Sequence, residues 1–133
     1  MTKEDLKEYY WIRRNITKSE HKLIELEAAA TKITAQLKKD QDAIMGRGNT
    51  SDKVGDAVAD IEAAKEKLIE QIVESYAVLA KIEEAIIVLP AREYYLIRAR
   101  YIGLLSWEQI AVDMNYSWKQ VHRIHSDALN QLQ

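Results

Sequence analysis

The sequence predicts an all-α fold: a long antiparallel, coiled-coil-like helical hairpin followed by a compact helix-turn-helix. Three observations predict it. Apolar residues recur at 3-4 spacing along two long runs, the signature of helices that pack through a seam. The 133 residues include one proline and four glycines, and two of the glycines fall in a single break, Asp40–Asp52. Near the end, Ser-Trp-x-Gln occurs twice, at 106–109 and 117–120.

The first run is Tyr9, Ile12, Ile16, Ser19, Leu23, Leu26, Ala30, Ile33 and Leu37, and no Gly or Pro interrupts it. It predicts a helix from about residue 4 to residue 39, roughly 54 Å long at 1.5 Å per residue. The stretch DQDAIMGRGNTSD over 40–52 reads as a flexible loop, with Thr50 or Ser51 as the cap of the next helix. Gly-Arg-Gly within it is no phosphate loop, because the spacing, the Lys and a preceding strand are missing.

A second run follows: Val54, Val58, Ile61, Lys65, Leu68, Ile72, Ser75, Leu79, Ile82, Ile86 and Leu89. Lys65 and Ser75 read as register devices or edge residues. Pro90 ends this helix and suits the start of the next. The expected division is therefore a hairpin over 1–89, serving oligomerisation, and a helix-turn-helix domain over 90–133.

Charge follows the same division. Residues 1–39 carry 9 basic and 6 acidic side chains, and residues 40–90 carry 5 and 11, so the two arms attract. Each exposed pair contributes only about 0–1 kcal/mol, so seam burial has to hold the hairpin. Apolar residues also stand off the seam: Tyr10, Trp11 and Ile24 on the first arm, and Ile69, Val73, Tyr76, Val78 and Ile87 on the second. Two helices cannot enclose a core, so these residues predict that two hairpins pair into a four-helix bundle, a homodimer.

After Pro90, Tyr94, Leu96, Ile97, Tyr101 and Ile102 keep helical spacing, and Gly103 reads as the left-handed residue that stops the helix. Ser106-Trp-Glu-Gln109 and Ser117-Trp-Lys-Gln120 both have the form of a capping box. The repeat therefore marks two helix starts. The first helix spans about eight residues, with Ile110, Ala111 and Met114 inward. Asn115 supplies a left-handed turn. The second helix turns Val121, Ile124, Ala128 and Leu132 inward, and the small Ala111 allows a close crossing. This pattern is a helix-turn-helix.

The stretch YIGLLSWEQIAVDMNYSWKQVHRIHSDAL, with Leu105-Ser-Trp-Glu-Gln-Ile-Ala111 at its centre, resembles region 4 of the sigma-70 family, which reads promoter −35 elements. This likeness covers about a third of the chain. No counterpart of sigma region 2 accompanies it, so the resemblance implies a reading head and not a whole sigma factor. The chain as a whole is similar to a family of small phage and prophage proteins of Gram-positive bacteria, grouped with ArpU-like late transcriptional regulators. That likeness implies a sequence-specific DNA-binding transcriptional regulator of double-stranded DNA, with RNA polymerase as a candidate partner. The alternatives are a small-terminase-like DNA-packaging subunit and a polymerase-binding adaptor.

In such a fold the second helix enters the major groove by its first turns. The outward residues there are Ser117, Trp118, Lys119, Gln120, His122 and Arg123. Lys and Arg donate to guanine, Gln pairs with adenine, and a capped helix start attracts phosphate. Arg98 and Arg100 are candidate phosphate contacts from the preceding helix.

Other chemistry finds little support in the sequence. Cysteine is absent, which excludes disulfides, thiolate metal sites and a Cys nucleophile. His122 and His125 have a ligand-like spacing without further partners, and His125 reads as a packing residue. Tyr9 to Trp11 and the Tyr94-Tyr95 pair read as core before stacking platforms. Ser106 and Ser117 serve as caps without a base, so neither an enzyme nor a cofactor is expected. No leader segment or apolar membrane span is evident, and a cytoplasmic location is expected.

Overall fold

The computed structural model describes the backbone of residues 1–43 and 48–133, and side chains outside 40–51. It is all-α. α1 (Lys3–Ala43) and α2 (Gly48–Ile86) form the long hairpin. α3 (Ala91–Ile97), a π-helical turn (Arg98–Ile102), α4 (Trp107–Met114) and α5 (Trp118–Gln131) follow. No strand occurs among the described residues. Helix replaces most of the loop expected at 40–52: α1 continues to Ala43 and α2 starts at Gly48. Thr50 and Ser51 therefore lie inside α2 and do not cap it. Residues 44–47 of that expected loop lie outside the described residues.

The chain forms two compact units: Asn15–Ile72, and Met1–Arg14 together with Val73–Gln133. In the first, Ile16 is the buried side chain among the described residues. Ser19, Leu23, Leu26, Ala30, Ile33 and Leu37 are half-buried, as their spacing predicts. On α2 the half-buried apolar positions in this unit are Val54, Ala57, Ile61, Ala64, Leu68 and Ile72, with Gln71 beside them. Val58 is 52% exposed and Lys65 is exposed, so neither belongs to the seam. Both registers keep a 3-4 rhythm. The structure uses the one with alanines at alternate positions, where small side chains let two helices approach closely. Ile24 and Ile69 stay exposed.

In the other unit the chain begins with a reciprocal cap. The Thr2 backbone N–H donates to Asp5 Oδ2 at 2.8 Å, and the Asp5 N–H donates to Thr2 Oγ1 at 3.2 Å. These bonds to Thr2 hold the Asp5 carboxyl below its ordinary pKa. The core contains Leu6 and Ile12 from α1, and Val78, Ile82 and Ile86 from α2. Leu89, Leu96, Ile97, Tyr101, Ile110, Val121, Ile124, Ala128 and Leu132 complete it. Val78 thus belongs to the core and not to an outer face. Ser75 is buried as well, whereas Trp11, Val73, Tyr76 and Ile87 are exposed. Tyr10 and Tyr95 are exposed too, against the expectation that the paired aromatics are core.

Pro90 stands at the N-cap of α3, with φ −58° and ψ 158°. The helix then widens into the π turn, in which the Gly103 N–H donates to Arg98 O at 2.9 Å and the Leu105 N–H donates to Ala99 O at 3.1 Å. Gly103 is right-handed, with φ −73°, and the left-handed residue is Leu104, with φ 58°. Gly103 is needed for a different reason: a Cβ there would lie 2.9 Å from the Ala99 carbonyl oxygen. That oxygen is backbone and already holds Leu105, so it cannot yield cheaply. Gly103→Ala is expected to destabilise this unit by about 1–3 kcal/mol, the range for forced overpacking. Urea unfolding checks it, and a variant as stable as the parent contradicts the close approach.

Candidate nucleic-acid interface

The interface is built on two helix starts of the same geometry. Ser106 and Ser117 each have φ −72° and ψ 160°. The Gln109 N–H donates to Ser106 Oγ at 3.2 Å, and the Ser106 N–H donates to Gln109 Oε1 at 2.8 Å. Gln120 and Ser117 repeat both bonds at the same distances. Between them, Asn115 is left-handed, with φ 59° and ψ 41°. The Tyr116 N–H donates to Ala111 O at 3.0 Å, and the Asn115 N–H donates to Val112 O at 3.2 Å. This pair of bonds is a Schellman closure, which satisfies the last carbonyls of α4.

The repeated Ser-Trp has a second consequence. Each Trp becomes the first residue of its helix, and both indoles meet one imidazole. The His122 ring centroid lies 4.4 Å from that of Trp107 and 3.8 Å from that of Trp118. The Arg100 guanidinium stands 4.5 Å from the Trp107 ring centroid. Arg100, Trp107, His122 and Trp118 therefore form a ladder that joins the π turn, α4 and α5. Cation–π and aromatic contacts of this kind contribute about 0.5–1.5 kcal/mol each. His122 Nε2 is buried and makes no hydrogen bond among the described residues.

Beneath the ladder, His125 is buried and its Nε2 shares a 2.6 Å hydrogen bond with the Tyr101 hydroxyl. Burial depresses His125 to a pKa of about 4 and pushes the Tyr101 phenol up to about 12. The packing role expected for His125 is what the structure has. Its Tyr101 partner lies 24 residues away, and no local motif announces the pair.

The eight candidate residues fall into two groups. Ser117, Trp118, Lys119, Gln120 and Arg123 are exposed at the first turns of α5. The Gln120 carbonyl oxygen is engaged in the cap, so its amide N–H groups remain for a base. Lys119 and Arg123 form no ion pair among the described residues. The remaining three make contacts within the fold, Arg98 while still exposed. His122 is held between the tryptophans, and Arg98 pairs with Glu83 at 2.8 Å. Arg100 donates to Leu105 O at 2.9 Å while covering Trp107. It acts as a brace for the α4 start, a role that the sequence reading missed.

Further polar ties fix the frame. The Tyr95 hydroxyl of α3 donates to the Asp113 carboxylate of α4. Arg92 pairs with the buried Glu93 at 2.7 Å, and this bond holds the Glu93 carboxyl below its ordinary range. Among the described residues no group of three or more His, Cys, Asp or Glu could hold a metal ion. No helix among them is long and apolar enough to cross a membrane. Comparison with protein-family models, with curated proteins and with solved structures returned no match.

Proposed function

We propose that this chain is a sequence-specific regulator of transcription that binds duplex DNA through the first turns of α5 and dimerises through its hairpin. It is of the phage type that the whole-chain resemblance to ArpU-like proteins implies, with a reading head like sigma region 4. The observation that carries the reading is the α4–turn–α5 geometry. Two capping boxes and a left-handed Asn115 fix the crossing, and Trp118, Lys119 and Arg123 stand clear of the protein on one helix start. A helix start of this kind fits the major groove, where Arg and Lys donate to guanine and phosphate.

With Arg100 engaged at Trp107 and Arg98 in an exposed pair with Glu83, each chain offers few unpaired cations, so non-specific affinity is low and base contacts matter more. A dimer doubles the contacts and sets two half-sites. The exposed Trp11, Val73, Tyr76 and Ile87 support that pairing. Sedimentation is expected to show mass doubling with concentration, and a monomer at every concentration removes the dimer from the reading.

The DNA test is a promoter-fragment binding assay with Lys119→Ala and Arg123→Ala. Each is expected to weaken binding by about tenfold or more, since one good base pairing contributes about 1–3 kcal/mol. A substitution that removes a phosphate contact also lowers the salt slope by about one. If both variants bind as the parent does, α5 is not the reading helix.

A further inference from the structure

We infer that Trp118 is a specificity residue that reads the C5-methyl group of thymine, an inference resting on the DNA-binding reading above. Trp118 is 58% exposed at the first position of α5. The cap itself does not use the ring, because Ser117 and Gln120 close it without Trp118, and more than half of the residue's surface is left open to solvent. Its neighbours Lys119 and Arg123 are exposed and unpaired among the described residues, so two cations accompany the ring on the same helix start.

The ring is also held in place. One side lies 3.8 Å, centroid to centroid, from His122, which is backed by Trp107 at 4.4 Å. Trp107 is in turn covered by Arg100, itself tied to Leu105 O. A ring braced through three other side chains loses little freedom on binding, so its contact energy is not spent on ordering. In the major groove the base edges present polar donors and acceptors, with one apolar group among them, the thymine methyl. A rigid apolar surface at the groove-facing end of α5 therefore matches thymine and disfavours the polar edge of cytosine.

The experiment begins with a randomised duplex pool. The sequence most enriched by this protein is synthesised twice, with thymidine throughout and with deoxyuridine throughout, which deletes only the methyl groups. Wild type is expected to bind the uracil duplex about three- to fivefold more weakly for each methyl lost from the contact, the factor equivalent to burying one methyl. Trp118→Ala is expected to bind both duplexes alike, and Trp118→Phe to keep part of the preference. Lys119→Ala is expected to weaken binding to both while leaving their ratio unchanged. Equal binding of the two duplexes by wild type overturns the inference and leaves the DNA-binding reading standing. So does a Trp118→Ala protein that folds and keeps the preference. If no duplex is bound in a salt-sensitive manner, both fail together.

Discussion

Moving from pH 7 to about pH 5 is expected to remove about 2 kcal/mol from the stability of the unit that carries α3–α5. The cause is His125. In the unfolded chain this imidazole titrates near its ordinary 6.5, whereas burial lowers it to about 4 in the fold. The Tyr101 hydroxyl on the π turn and the Trp107 ring on α4, at 4.7 Å, enclose it. Lys3, His122 and Arg100 further disfavour a charge there. Between about pH 6.5 and 4 the unfolded chain binds a proton that the folded chain does not. Stability therefore rises with pH across that window and falls on acidification. It is fully present above 6.5, and below 4 the loss is complete. The depressed Glu93 carboxyl acts in the same direction but at lower pH, because its stabilisation disappears as pH falls through the carboxylate range. Urea unfolding at the two pH values measures the effect. His125→Gln, which keeps a polar partner for Tyr101 and does not titrate, is expected to lose the slope above pH 5. A wild-type protein equally stable at both pH values contradicts a neutral buried His125.

How much of this was legible in the sequence depends on how far each determinant reaches along the chain. The capping boxes and the Asn115 turn are local: every bond in them spans three to five residues, so residue type and spacing suffice. The α1 seam was equally legible, since its nine positions from Tyr9 to Leu37 keep one rhythm and leave a single register. The α2 seam was not, because Val58 and Lys65 satisfy the same 3-4 rhythm as Ala57 and Ala64. Periodicity alone does not decide between them; the fold half-buries the alanines and leaves Val58 and Lys65 exposed. The π turn was invisible for a similar reason. A glycine after an apolar run ordinarily signals a left-handed stop, but here the wide turn brings the Ala99 oxygen against residue 103 and passes the left-handed conformation to Leu104. The contacts of Arg98 and Arg100 within the fold were not legible either, although Arg98 is exposed as expected. Their partners, Glu83 at 15 residues' distance and the Trp107 ring, come together only in the folded chain. Sequence alone therefore placed the two helix starts and did not show which nearby cations pair within the fold.

Ile110→Ala is expected to cost the same unit about 2–5 kcal/mol, the range for truncating a fully buried Ile, whereas Val112→Ala two residues on changes stability by less than about 0.5 kcal/mol. Ile110 has no exposed surface, while Val112 is 83% exposed. α4 has eight residues, and Ile110 is the one it buries fully. A helix of that length has no independent stability in water, where even favourable sequences need about 12–15 residues. α4 therefore persists only because it packs on α5 and the π turn, and Ile110 is its principal anchor. Losing the anchor has a consequence beyond a cavity. Trp107 opens α4 and supports His122, which in turn supports Trp118. Loosening α4 therefore releases the exposed face of α5 from its brace. Urea unfolding followed by tryptophan fluorescence should show the Ile110→Ala midpoint well below that of Val112→Ala. On the proposed DNA-binding reading, the Ile110 variant is expected to lose binding at temperatures where the Val112 variant keeps it. Equal midpoints for the two variants contradict the claim that α4 is held by this one contact.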